Sequence, residues 1–173
     1  LSVTAQSKLR YHAEVPEWVE KPVIHDLPPQ YEHEPALILQ NDVTLDYRYA
    51  GKGVDVYYTL HRLVKVLDDR GIENFNKVSI PVNSRTRVPL IKAHTILRNG
   101  KVIDIPKDKI KVTRNEYGQY EIVFAMEGVE KYSEIELLLH EIRPYSAFGS
   151  ETFQYAVPVE STLFEIDYPR DFV

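Results

Sequence analysis

From Leu37 onward, apolar and polar residues alternate with a period of two. Leu37 and Leu39, then Val43, Leu45, Tyr47 and Tyr49, are interleaved with polar partners across Asn41 to Arg48. This pattern predicts a strand buried on one face. Ala50-Gly51-Lys52-Gly53 reads as a turn, and Val54, Val56, Tyr58 and Leu60 resume the alternation, so the two runs form a hairpin. Further on, Asn99-Gly100 separates Leu90 to Leu97 from a short return, Val102 to Ile105. Asn-Gly accepts the two positive φ values of a two-residue type I′ turn, which predicts a second hairpin. Glu116 to Gly118 joins Ile110 to Val112 with Tyr120 to Met126, and Gly128 to Ser133 bounds a turn before Ile135, Leu137 and Leu139. The last quarter holds two more runs, Thr152 to Val157 and Thr162 to Ile166, on either side of Pro158. Proline cannot donate to a ladder, so that corner is expected at a sheet edge.

Ahead of these strands, Pro16, Pro22, Pro28, Pro29 and Pro35 fix φ repeatedly and remove backbone donors. With Trp18, Val19, Val23, Ile24 and Leu27 among them, residues 1–35 read as an extended Pro-rich arm lying on the domain, with Trp18 as its anchor. Helix fits only as a turn or two after Asp68, around Gly71 to Lys77. The fold class is therefore all-β: about nine or ten strands over residues 36–168, packed as an antiparallel β-sandwich, with an open barrel as the alternative. Residues 169–173 read as the start of a linker. There is no internal repeat or low-complexity tract.

Composition narrows the function classes. A chain of 173 residues has room for one real core. Its net charge of −5 gives no general attraction to phosphates or anionic lipid, which argues against nucleic acid as a partner. The longest apolar run, Ile122 to Met126, is far short of the roughly 20 residues of a membrane-spanning helix. The absence of cysteine removes disulfides, thiolate nucleophiles and cysteine-based zinc sites. Starting at Leu1 without an initiator methionine points to processing, such as loss of a signal peptide, or to truncation.

Three stretches resemble the domain of unknown function 3857: Ala36 to Asp42 (ALILQND), Val56 to Asn83 (VYYTLHRLVKVLDDRGIENFNKVSIPVN) and Lys92 to Pro106 (KAHTILRNGKVIDIP). The order of motifs is similar over about residues 36–168. In Gly128 to Leu138 (GVEKYSEIELL), Tyr132 and Ser133 stand where the family usually has Gly-Asp, so a tight glycine turn is replaced by something bulkier. The resemblance implies a β-sandwich that lies N-terminal to a transglutaminase-like domain in exported bacterial proteins. It implies a periplasmic or otherwise exported location and an accessory role beside a papain-like thiol enzyme.

Candidate chemistry is sparse. His25, Asp26, Glu32, His33 and Glu34 are ligand types that suit zinc, but they lack a close pair in one face-sharing frame, and the plainer reading is polar residues on an exposed arm. Glu134 and Glu136 would lie about 6 to 7 Å apart on one strand face, within reach of a paired-carboxylate glycosidase. The interleaved Ile135, Leu137 and Leu139 instead make them a solvated outer face. No G-x-S-x-G elbow or glycine-rich phosphate loop occurs. The basic stretch Lys101, Lys107, Lys109, Lys111 and Arg114 is broken by Asp104 and Asp108 and reads as a solvated hairpin face. Trp18 and the tyrosines Tyr47, Tyr49, Tyr57 and Tyr58 are the candidates for a groove binding peptide or carbohydrate, with Trp18, Tyr47 and Tyr57 as its core.

No residue is assigned a catalytic, metal or cofactor role, and the chain is not expected to be an enzyme. The expectation is an accessory domain that packs against or positions a C-terminal neighbour in the same polypeptide. The alternative is a free-standing module that binds peptide or glycan through a sheet edge or the tyrosine face.

Overall fold

The computed structural model describes residues 15–171. The sandwich read from the sequence is present, as two sheets with one short helix. The six-stranded sheet has the order β5-β4-β8-β2-β1-β9, formed by β1 (Ala36–Ala50), β2 (Gly53–Val66), β4 (Arg87–Ile96), β5 (Val102–Asp104), β8 (Glu134–Pro144) and β9 (Thr162–Asp167). The three-stranded sheet has the order β3-β7-β6, from β3 (Lys77–Val82), β6 (Lys111–Arg114) and β7 (Tyr120–Ala125). Pairing is antiparallel except between β1 and β9, which run parallel from Asn41↔Thr162 to Asp46↔Asp167. Parallel neighbours need a crossover rather than a tight turn. The 145–161 segment helps provide it, and for that reason Thr152 to Val157 is irregular chain and not the strand expected.

The inner faces of the two sheets enclose the main core, in which Tyr58, Leu60, Leu137 and Leu139 meet Ile122, Phe124 and Met126. β1 does not keep one face buried throughout. Its register shifts between Ile38 and Gln40, and such a bulge moves the alternation to the other face. Leu37 and Leu39 therefore pack outward with Leu63, Ile96, Leu27 and Tyr31, whereas Val43 lies in the inter-sheet core with Leu45 packed against it.

The helix α1 (Asp69–Phe75) is capped by Asp68, whose carboxylate accepts from the Gly71 N–H at 3.0 Å. Its close seating depends on Gly71, because a Cβ there would lie 2.0 Å from the carbonyl oxygen of Pro35. That oxygen already accepts from the Leu67 and Asp68 amides.

The Asn99-Gly100 hairpin forms, with a different turn. Only Gly100 has positive φ (80°). Gly100 N–H donates to Leu97 O and Leu97 N–H to Lys101 O, each at 2.8 Å, which makes a three-residue loop in place of the type I′ turn. Tyr132 has φ 67° and is the one non-glycine with positive φ among the described residues. It occupies the position where the resemblance called for glycine, so the left-handed backbone is kept although the residue that favours it is not.

Candidate functional site

The outer face of the large sheet is covered by the arm, and this overturns the solvated reading of Glu134 and Glu136. Both carboxylates are buried, with 0% and 6% of the residue exposed. Leaving a carboxylate buried and unpaired is costly, and each has its own cations or donors. Glu134 accepts from Lys65 Nζ at 3.0 Å, from the His25 backbone N–H at 2.7 Å and from His25 Nδ1 at 2.9 Å. Glu136 accepts from His61 Nε2 at 2.6 Å and from His94 Nε2 at 2.7 Å. Burial pushes the Glu136 carboxyl up, but the hydrogen bonds and charge of His61 and His94 outweigh it and bring the group down to about 2. A carboxyl ionised to that degree cannot serve as a general acid near neutrality. The pair is a structural anchor for the arm.

Trp18 completes that anchor, its ring 4.4 Å from the His94 ring and within cation–π reach of Lys92 at 5.8 Å. The imidazole of His94 is fully buried beneath it. Of the metal candidates on the arm, His25 is engaged with Glu134. Among the described residues no group of three or more His, Cys, Asp or Glu is arranged to hold a metal ion.

Tyr47 and Tyr57 sit on opposite faces of the sheet, since Tyr57 pairs with Asp46 and Tyr47 with Val56. Tyr57 lies under the Arg48 guanidinium at 4.0 Å and beside His140. Tyr47 meets Tyr145 edge-on at 6.2 Å on the inter-sheet side. Trp18 belongs to the arm, over β4. The three aromatics thus occupy separate places.

The surface that sequence reading did not single out lies at the C-terminal strand. Strand β9 is the last in the large sheet, so one of its edges is unpaired among the described residues. Leu163, Phe164, Ile166 and Tyr168 are 51%, 41%, 46% and 64% exposed, and Phe148 nearby is 92% exposed. Phe164 and Ile166 line a cleft of about 420 Å³ together with Tyr47, Phe148 and Phe153. Phe153 packs edge-on against Phe164 at 5.2 Å. Exposed apolar side chains gathered around one cleft, as Phe148, Phe164 and Ile166 are, mark interaction sites, and an open strand edge offers unpaired backbone groups beside them. The available signal was the density of apolar residues in Thr162 to Tyr168, on a strand already placed at an edge.

The family described as Domain of Unknown Function with solved-structure structure (DUF3857) matches residues 55–172. No curated protein matches the chain. Among solved structures, the chain is similar to a putative protease from Parabacteroides distasonis ATCC 8503, with TM-score 0.56 and 12% identity over 66% of this chain and 24% of that one. A segment of yeast LTA4 hydrolase in complex with bestatin aligns at TM-score 0.32 and 12% identity, over 63% of this chain and 15% of that one. The chain thus spans about a quarter of the length of the first of these. No helix of the described residues is long and apolar enough to cross a membrane.

Proposed function

Because the chain belongs to the DUF3857 family, we propose that it is a non-catalytic accessory domain that packs its C-terminal edge against a neighbouring domain of the same polypeptide. The observation that carries this reading is the exposed pair Phe164 and Ile166 on one face of the unpaired edge strand, with Tyr168 exposed just beyond it and Leu163 exposed on the other face. Burying three or four such side chains would contribute several kcal/mol to docking. The neighbour we assign is the transglutaminase-like domain that the resemblance implies. The similarity to one quarter of a longer chain supports a modular role.

The absence of catalysis is part of the same proposal. A thiol enzyme needs a cysteine, which this chain lacks. Its paired carboxylates are held in an arm-covered hydrogen-bond network instead of an open cleft. An exported location belongs to the proposal too, and cell fractionation with an epitope-tagged gene tests it.

Docking is tested with Phe164→Asp and Ile166→Asp in the full-length polypeptide. Both positions are largely exposed, so the isolated domain should stay folded with only the modest drop in midpoint that loss of the Phe153–Phe164 contact brings, while small-angle scattering of the full-length protein should show a more extended particle. Unchanged scattering with both substitutions present would sink the proposal.

A further inference from the structure

The three-stranded sheet covers only part of the six-stranded one, leaving β3 as an edge above the middle of β2 and β8. A cleft of about 510 Å³ separates this edge from Ser150 and Glu151. Five consecutive residues of β3, Lys77 to Pro81, border it. Successive side chains of a strand point to opposite faces, so a run of five neighbours can border one cleft only if the backbone edge looks into it. On its other side β3 pairs with β7 from Lys77↔Ala125 to Val82↔Tyr120. Among the described residues no strand pairs with the cleft-facing edge. The floor is apolar, formed by Leu60, Leu137 and Leu139.

The cleft is also cationic. Arg62, Lys77 and Arg143 line it against the single carboxylate of Glu151. Arg143 donates to Glu141 at 2.7 Å. Arg62 gives its bonds to neutral acceptors, Asn41 Oδ1 at 2.8 Å and the Tyr155 hydroxyl at 2.7 Å. Among the described residues neither Arg62 nor Lys77 is in an ion pair. Burial raises the Glu151 carboxyl while Arg143 and Arg62 draw it back, so a carboxylate at the mouth already feels both guanidinium groups.

We propose that this cleft binds an extended peptide as an added strand on β3. The peptide's alternate apolar side chains would rest on the accessible parts of Leu60, Leu137, Val78 and Ile80, and a carboxylate near its end would face Arg62 and Lys77. Backbone pairing supplies affinity in strand addition, and the pockets below supply selectivity. Charge-assisted bonds from Arg62 favour an acidic side chain or a free C-terminus over a cationic end. No residue of β9 lines this cleft, although it shares Arg143, Ser150 and Glu151 with the cleft beside Phe164, and protection at the β3 edge separates this proposal from docking on β9.

The test uses three peptides with the chain itself: acetyl-Val-Thr-Val-Thr-Val-Asp amide, acetyl-Val-Thr-Val-Thr-Val with a free carboxylate, and acetyl-Val-Thr-Val-Thr-Val-Lys amide. Titration followed by NMR should show saturable binding of one or both acidic peptides, about tenfold tighter than the lysine peptide. Which of the two binds identifies the source of the carboxylate. Asn76 and every second residue after it bond to β7, and Pro81 has no N–H, so amide hydrogen exchange should slow at Lys77 and Ser79 on binding. Arg62→Gln should abolish the preference for the acidic end, and Lys77→Glu, an exposed change that spares the core, should weaken it. Saturable binding by none of the three, equal binding of the lysine peptide, or protection confined to strands other than β3 would overturn the proposal.

Discussion

The indole of Trp18 lies on the imidazole of His94, ring centroids 4.4 Å apart, and His94 in turn donates to Glu136 at 2.7 Å. One aromatic side chain on an otherwise irregular arm thereby closes over the charged row of the large sheet. The apolar contact excludes water from hydrogen bonds that are stronger in a dry setting.

Trp18 is the sole tryptophan, so its fluorescence reports this contact directly. Trp18→Ala should destabilise the domain by about 2 kcal/mol through lost apolar burial, measured by urea unfolding. His94→Ala should red-shift the native emission and raise acrylamide quenching of Trp18. An unchanged spectrum in His94→Ala would contradict the stacking.

Acid should loosen the same row. The Glu136 carboxyl is held at about 2 in the fold, below the ordinary range of about 4.3 in an unfolded chain. A lowered folded pKa contributes stability that is fully present above the unfolded value and is lost as pH falls through the folded one. Unfolding midpoints of the wild type should therefore drop between pH about 4.5 and about 2 by more than those of Glu136→Gln. Parallel pH profiles would refute this role for Glu136.

Glycine at position 71 is required by contact, not by φ. A Cβ would overlap the Pro35 carbonyl oxygen, and the helix would have to move away from Pro35. Gly71→Ala should cost about 2 to 3 kcal/mol, as overpacking does. Gly53→Ala, where the nearest atom would be 3.9 Å away, should stay within about 0.5 kcal/mol. Equal losses at the two sites would be inconsistent with the close approach of α1 to Pro35.

Tyr132 keeps a left-handed backbone at φ 67°, with the Arg98 guanidinium 5.2 Å from its ring. Tyr132→Val should destabilise by about 1 to 2 kcal/mol, because a β-branched residue tolerates that region poorly. Tyr132→Gly relieves the backbone while losing the ring contact, and should change stability by less than about 0.5 kcal/mol. If the valine variant were the more stable of the two, the backbone assignment would be wrong.

Much of the fold could be read locally. The β1–β2 hairpin turn, the strand after Glu116 to Gly118 and the helix after Asp68 each follow from residues a few positions apart. What escaped was set by distant partners. Glu134 and Glu136 look like an outer face until the arm, over a hundred residues earlier, lays His25 and Trp18 across that side of the sheet. Leu37 and Val43 appear in phase until pairing with β2 places a bulge between them. The parallel docking of β9 on β1 leaves no trace in either strand's alternation. The cationic cleft was hidden for a similar reason, since Arg62 and Arg143 continue the inward phases of Leu60 and Leu139 on strands far apart in sequence, and only the pairing of β2 with β8 brings both to one cleft.

Docking of a neighbour on β9 is tested most directly by amide hydrogen exchange over residues 162–168, measured in this chain alone and in the full-length polypeptide. Docking predicts slow exchange in the full-length protein and markedly faster exchange in the isolated chain, with the β2 and β8 amides unchanged. Equal exchange over residues 162–168 in both would contradict it.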